Sequence, residues 1–565
     1  MQIIISMKYI AISGFNVPLK FVFYGCWLAF GIIQATWTDL FHDEAFYWFC
    51  AQKLSWGYLE QPPMVNFLIY MGNLFIPGDL GTRIIFVLLN VFSIYLLEKI
   101  LKPANFLLFA VIVSSVAILS IGGFMAMCDN ALIFFTATFF LLYRRYLNED
   151  SILLALLLGI NAAAMLYSKH YGLLIIFFVL ASNISLLKRK SFYLSIGLSM
   201  VLLVPAVFWQ YDHGFVSLRY HLFDSLSQPF EITNMIDFII GQILIAGPIT
   251  GALFLFASIR HNAKGKFESG LKYTLVGMFG FFLLATFQFK VMPHWTSSAV
   301  IPMVLLAYTY LDSKKQLAKW VFYLFPINIL LVVAIRLYFM VDILPPSWAL
   351  NTDYHKWEVW AKEMDRVGDS KPLIFLDDDI VKYNYYSNNV AYVLSDISGR
   401  TTQYDLWDTE QDLQGKQVVL ISKNKLSITT DSINSVLGRK YFYGTIENFK
   451  SYSNVKIASK DQELSARAGE AIAFPIRWIV ESDIAQDFDE NGTAPHVGVH
   501  IFSKGELLVS ISSDLQINRA MNDGEWIDLN IQAPDEPGFY EIRLSVSDDM
   551  MPPTINSNII ELQVK

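Results

Sequence analysis

The sequence predicts a polytopic α-helical membrane protein followed by a water-soluble C-terminal portion. Three observations carry this. Apolar runs long enough to cross a bilayer, roughly 17 to 25 residues each, follow one another up to residue 341. Of the 565 residues, 54% are hydrophobic and only 16% charged, where a soluble domain has about 25% charged. Beyond residue 341 the composition becomes ordinary. That part holds 20 Lys/Arg against 35 Asp/Glu, so the formal net charge of −8 belongs to it. The membrane half is mildly basic, and nothing points to a nucleic-acid partner.

The apolar runs predict eleven spans, near 20–38, 80–97, 105–122, 131–147, 152–168, 172–187, 191–211, 235–259, 271–289, 296–312 and 321–341. A half-apolar piece at 63–77, bounded by Pro62-Pro63 and Pro77-Gly78, reads as an interfacial or re-entrant helix. Met1 to Lys20 has no small-residue cleavage site, so no removable signal peptide is expected. Cys26, Cys50 and Cys128 show no metal or redox spacing. Cys50 and Cys128 could share a side, but they read as small unpaired hydrophobes.

Five connections carry the basic clusters: Lys99 with Lys102, Arg144-Arg145, Lys188-Arg189-Lys190, Arg260 with Lys264 and Lys266, and Lys314-Lys315 with Lys319. The positive-inside rule makes these cytoplasmic. The N-terminus is then expected inside and the C-terminal portion outside. The opposite connections hold His42-Asp43-Glu44, Glu60, Asp129, Lys169-His170-Tyr171, Arg219, His221 and His294-Trp295. Ionisable groups at membrane depth are costly and usually functional.

Residues 342–454 alternate helix-like and strand-like pieces: Trp357 to Val367, Pro372 to Leu376, Ile380 to Asn388 and Gln417 to Ser422. They predict a small α/β domain. Residues 455–565 contain short alternating runs, expected to form a β-sandwich of immunoglobulin-like type. Pro475 within the first run predicts an edge strand or a bulge. Residues 1–341, 342–454 and 455–565 are thus the three expected domains.

No Gly-rich dinucleotide fingerprint or P-loop is present, so no nucleotide cofactor is expected. Carboxylates, imidazoles and single cations gathered at the membrane surface suit a reaction between a lipid-linked phosphate and a hydroxyl. A carboxylate accepts the hydroxyl proton, and cations stabilise the departing phosphate. Lys169 and Arg219 are the candidates for that phosphate. A transporter or flippase is the alternative. It should show polar residues inside its spans, internal repeats or broken helices, and no repeat is seen.

The order Asp43-Glu44 after the first span, Gly57-Tyr58 with Pro62-Pro63, Asp129 after the third, Ser168-Lys169-His170-Tyr171-Gly172 after the fifth and His294-Trp295 after the ninth resembles a known family. It is that of the bacterial membrane glycosyltransferases of the GT-C fold, in particular the aminoarabinose transferase and protein O-mannosyltransferase superfamily. The resemblance covers about residues 20 to 310 by motif and, more weakly, Arg400 to Trp407.

The resemblance implies inverting transfer of a sugar from a polyprenyl-phosphate donor, at the outer face of the cytoplasmic (inner) membrane. The acceptor would be a lipid, glycan or protein. Asp43 matches the essential carboxylate, Glu44 is its partner, and Asp129 matches the second acidic position; these form the catalytic set. Glu60 matches an acid that helps hold a divalent metal near the donor phosphate; His221 is the candidate second ligand, with a surface histidine as the alternative. Gln61 departs from the lysine found beside that acid. His170, Tyr171, His294 and Trp295 join Lys169 and Arg219 in the substrate-binding set. Tyr47, Trp48 and Tyr58 read as membrane-interface belt residues, with a sugar platform as the alternative, for which Tyr58 is also placed in the substrate-binding set.

Overall fold

The computed structural model describes residues 9–12, 15–219, 221, 231–344, 354–394, 402–407, 409–480, 495–503, 506–517, 525–547 and 553–565. Two compact units result, Met1–His355 and Lys356–Lys565. The division falls beyond residue 341 because Tyr354 and His355 pack their rings on Tyr338 and Phe339 of the last apolar helix.

The first unit is helical. Among the described residues, four helices are long and apolar enough to cross a membrane: Leu19–Trp37, Gly78–Leu101, Lys190–Asp212 and Lys315–Met340. The runs expected at 105–122, 152–168 and 172–187 are the shorter helices Phe106–Ser115, Ile152–Ser168 and Gly172–Ser182. Those expected at 131–147, 271–289 and 296–312 correspond to Cys128–Asn148, Gly265–Ala285 and Val300–Ser313. The half-apolar piece is the helix Met64–Asn73.

The run at 235–259 is not one continuous span. It divides into Ile232–Ala246 and Gly251–Arg260, bent by 93°. Gly247 adopts φ +149 at the break, a backbone region only glycine enters easily, and Pro248 follows with no N–H to donate.

A broken helix at membrane depth leaves backbone groups that lipid cannot satisfy. Asn328, fully buried in Lys315–Met340, supplies them. Its Oδ1 accepts from Ile249 N and Thr250 N at 2.9 and 3.3 Å, and its Nδ2 donates to Ser115 O at 3.1 Å. One amide therefore mends two helix ends. Asn328→Leu should destabilise the protein by about 2–4 kcal/mol, since each orphaned buried group costs about 1–3 kcal/mol. Thermal unfolding in detergent measures this, and an unchanged midpoint would refute the role.

The two ends of this unit segregate the connections. Arg144 donates to Ile100 O, Arg189 to the carbonyls of Tyr146 and Leu147, and Lys266 to Ser185 Oγ. Four of the basic connections are thus neighbours at one end. The loops bearing acids and histidines meet at the other.

In the second unit, five strands lie in the order Ala391–Val393, Leu373–Phe375, Val418–Ser422, Lys440–Ile446 and Asp431–Asn434. The first three are parallel and the rest antiparallel. With the helices Trp357–Gly368 and Ile380–Tyr386 they form the expected α/β part.

The remaining strands make two sheets. Three are ordered Ile527–Gln532, Ala471–Val480, Val455–Ser459, and five are ordered Glu506–Gln516, His496–Ser503, Gly538–Ser547, Ile560–Val564, Glu463–Ala466. Phe474, Ile476 and Trp478 from one sheet and Val499, Ile542 and Leu562 from the other share one apolar core. Pro475 lies in a central strand, not at an edge. Pairing with Val455–Ser459 begins at Ile476; opposite Lys460, Pro475 accepts from Lys460 N at 3.0 Å and has no N–H to return the bond, so the ladder ends there.

Next to the parallel strands, Asp379 accepts from Tyr441 Oη at 2.6 Å and pairs with Lys423 Nζ at 2.7 Å. Burial and then the charge of Asp379 push the Asp377 carboxyl up to about 6. A pKa raised above its unfolded value, about 3.9, means the folded state holds the proton longer. The associated stability is present below pH 4 and lost as pH rises through 6. Asp377→Asn should therefore stabilise the fold at pH 7.5 by on the order of 2 kcal/mol, read as a higher unfolding temperature, with little effect at pH 4. Equal effects at both pH values would contradict this origin.

Candidate active site

The helix His42–Ala51 organises this site. Asp43 and Glu44 occupy its first turn, where acids are favoured by the helix dipole. Being neighbours on a helix, they point in different directions. Asp43 is exposed and Glu44 is fully buried.

Glu44 is held by Arg83, whose Nε and Nη2 donate to its two carboxylate oxygens at 2.8 and 2.5 Å. Its oxygens also accept from Ala126 N and Phe41 N at 2.7 and 2.9 Å. Arg83 completes its five donors on the carbonyls of Ala35, Thr38 and Asp39. This ion pair is dry on both sides. It clamps the end of the first span, the acidic helix and the loop before Cys128 together.

A second buried pair stands alongside. Lys169 Nζ lies 3.0 and 2.9 Å from the two oxygens of Asp129, and Ser297 Oγ donates to Oδ1 at 2.6 Å. Burial works against the Lys169 charge, but Asp129 outweighs it and raises the pKa. Lys169 is held protonated. Its ammonium also sits 5.4 Å from the centre of the Tyr171 ring, which packs on Trp295 and Phe282.

Tyr47 shows that these loops converge. Its hydroxyl is raised well above the ordinary range, first by burial and then by Cys128, Asp43, Asp129 and Glu60. Three acids from two connections thus lie near one side chain. His294 joins them. Burial lowers its pKa, while Asp129 and Asp43 pull it upward and Lys169 opposes them.

A third group lies nearby in the chain order. The His170 and His221 rings are 5.3 Å apart, and His221 Nε2 is 3.0 Å from the main-chain oxygen of Glu60. Gly57 lies against Trp209, and a Cβ there would come within 2.3 Å of the indole. Any larger residue would push this loop off the helix Lys190–Asp212.

Apolar helices carrying one polar end, with acids and cations from distant connections gathered there, define an architecture that can be compared with known proteins. ArnT from Cupriavidus metallidurans in the apo state superimposes with a TM-score of 0.56 over 75% of this chain and 97% of that one, at 12% identity. The same protein bound to undecaprenyl phosphate gives 0.54 with the same coverage and identity. The chain has the GT-C fold.

No protein-family model matches the chain. It is similar to the lipid A galacturonosyltransferase RgtD of Rhizobium johnstonii, at 23% identity over 296 residues, which is 48% of this chain. The match spans 60% of that relative's length.

Within the GT-C fold the expected site residues divide. Asp43, Asp129, Lys169, Tyr171, His294 and Trp295 come together, with Glu60 at their side. Glu44 faces protein on every side, so its carboxylate presents nothing to a reactant. Tyr58 is 3% exposed. Its hydroxyl accepts from Ser55 N and donates to Lys53 O, both at 2.9 Å, so it closes its own loop and offers no ring face to a sugar. Arg219 is exposed at the end of the short helix Val216–Arg219.

Lys169 is engaged by Asp129, a pairing the sequence reading did not anticipate. Glu60 meets His221 through its main-chain oxygen. Among the described residues, no group of three His, Cys, Asp or Glu side chains is placed to hold an ion. Cys50 and Cys128 are buried and unpaired, and Cys26 is free and exposed.

Arg83 and Ser297 were missed, and Tyr47 reads from the sequence as a membrane-interface belt residue. Arg83 did carry a signal, since an arginine inside an apolar run needs a buried acid. Ser297 and Tyr47 carried none, because a hydroxyl at a span end and an aromatic near an interface are commonplace.

Proposed function

We propose that this protein is an integral-membrane glycosyltransferase that moves a sugar from a polyprenyl-phosphate donor to an acceptor hydroxyl, with inversion, outside the cytoplasmic membrane. The observation that carries this is the convergence of Asp43, Asp129 and Glu60 near Tyr47, with Lys169 paired to Asp129 and His294 beside them. The GT-C fold supports it, as do the undecaprenyl phosphate bound by a structure of that fold and the lipid A transferase among similar proteins. The favoured acceptor class is a lipid-linked glycan of the cell envelope, over a protein hydroxyl.

Asp43 takes the acceptor proton, because it is the acid that remains open to a reactant. The acceptor oxygen bonds to the anomeric carbon as the bond from that carbon to the phosphate oxygen breaks. Lys169, aimed by Asp129, and Arg219 offset the charge left on the phosphate. His170, Tyr171, His294 and Trp295 line the sugar and phosphate pocket. Glu44 and Arg83 set the position of Asp43.

The eleven-crossing topology is retained, with shorter and broken helices counted among the spans and the basic connections in the cytoplasm. The C-terminal parts then lie outside. The bend at Gly247 is a feature transporters share, but the ionisable groups of the site gather among loops at one end, and Arg83, inside the span Gly78–Leu101, is committed to Glu44.

Masses of cell-envelope glycolipids with and without the gene test the proposal. A missing sugar increment is expected, and identical profiles together with vesicle uptake of an unmodified substrate would overturn it.

A divalent ion is a separate proposal. The Glu60 carboxylate and the His221 imidazole would hold it, and it would supply charge to the phosphate. The hydrogen bond of His221 to a carbonyl is the orienting contact that metal-ligating imidazoles usually make. With two protein ligands, binding is expected to be weak. Chelation and Glu60→Gln should each lower transfer at least tenfold, and activity indifferent to both removes the metal.

A further inference from the structure

In the second unit an open cleft of about 560 Å³ runs between the α/β part and the two-sheet part. One wall comes from Tyr404, Asp405 and Thr409. The other comes from Asn454, Lys456 and Asn558. We propose that this cleft binds a neutral oligosaccharide.

The base of the cleft is prebuilt. Gln411 Nε2 donates to Ser451 Oγ and Ser453 Oγ at 3.0 and 2.8 Å, and Ser451 donates to Glu410 at 2.9 Å. From the opposite side, Asn556 Nδ2 donates to the carbonyls of Tyr452 and Val455, and its Oδ1 accepts from Val546 N. Such a network holds both walls without a ligand, so little ordering cost attends binding.

Other polar groups remain for a guest. Among the described residues, the side chains of Asn454 and Asn558 make no hydrogen bond, and Thr409 Oγ1 is buried without a partner. Two amides and a buried hydroxyl match a sugar, whose hydroxyls both donate and accept.

Charge and size narrow the class. Asp405 and Glu410 outnumber Lys456, which disfavours phosphate or a uronic acid, and the polar lining disfavours an acyl chain. At about 560 Å³ the cleft lies within the roughly 300–1,000 Å³ of a ligand pocket, room for a short stretch of sugar units. The inference concerns binding alone and stands whether or not the membrane unit transfers sugar.

Saturation-transfer NMR on the full chain in detergent tests it, with linear hexasaccharides of glucose, mannose and galactose as probes and a hexagalacturonate as the charged control. At least one neutral probe should bind, and the Asn454→Ala/Asn558→Ala variant should weaken it at least tenfold with unchanged thermal unfolding. Thr409→Val should weaken it several-fold. The proposal falls if no neutral probe binds at millimolar concentration, if the charged control binds as well, or if the variants bind like the parent.

Discussion

Arg83→Ala is expected to cost about 3–5 kcal/mol of stability, enough to prevent accumulation of a protein of ordinary stability. Glu44 would be left as a buried charge with no counter-ion. The carbonyls of Ala35, Thr38 and Asp39 would lose their donor together. Glu44→Gln should destabilise comparably, by stranding the guanidinium. The double variant Glu44→Gln/Arg83→Gln should cost less than the sum of the two, because no uncompensated charge remains. Size exclusion and thermal unfolding in detergent read these effects. A stable, monodisperse Arg83→Ala protein would mean that the clamp does not organise the acidic helix.

Asp43→Asn should behave in the opposite way. Asp43 is exposed, so the variant should insert and unfold like the parent, while sugar transfer falls about 10²–10⁴-fold, the usual loss when a general base is removed. Glu44→Gln assayed alongside separates chemistry from folding, since adjacent acids then lose different properties. Full transfer by a correctly inserted Asp43→Asn protein would deny this residue the central role.

Much of this protein is legible in residue order. Apolar length predicts helices, because a backbone in lipid must satisfy itself within each segment. The Lys/Arg clusters predict which connections are neighbours, and Arg144, Arg189 and Lys266 do link theirs at one end. The alternation of strands and helices beyond residue 356, and the change to strands alone near 455, are equally plain. The order of polar motifs placed Asp43, Asp129, Lys169 and His294 in one set.

Pairing was not legible. Nothing in Asp43-Glu44 says which acid faces a reactant; that depends on Arg83, 39 residues later along the chain. Asp129 and Lys169 read as separate agents until distance makes them one ion pair. The run at 235–259 is long enough to span, yet it bends at Gly247-Pro248, and the freed amides of Ile249 and Thr250 find their acceptor in Asn328, 78 residues beyond Thr250. Hydrophobicity is a property of each segment and survives in the sequence. A charge or an amide acts through its partner, and the partner is chosen only when the chain has folded.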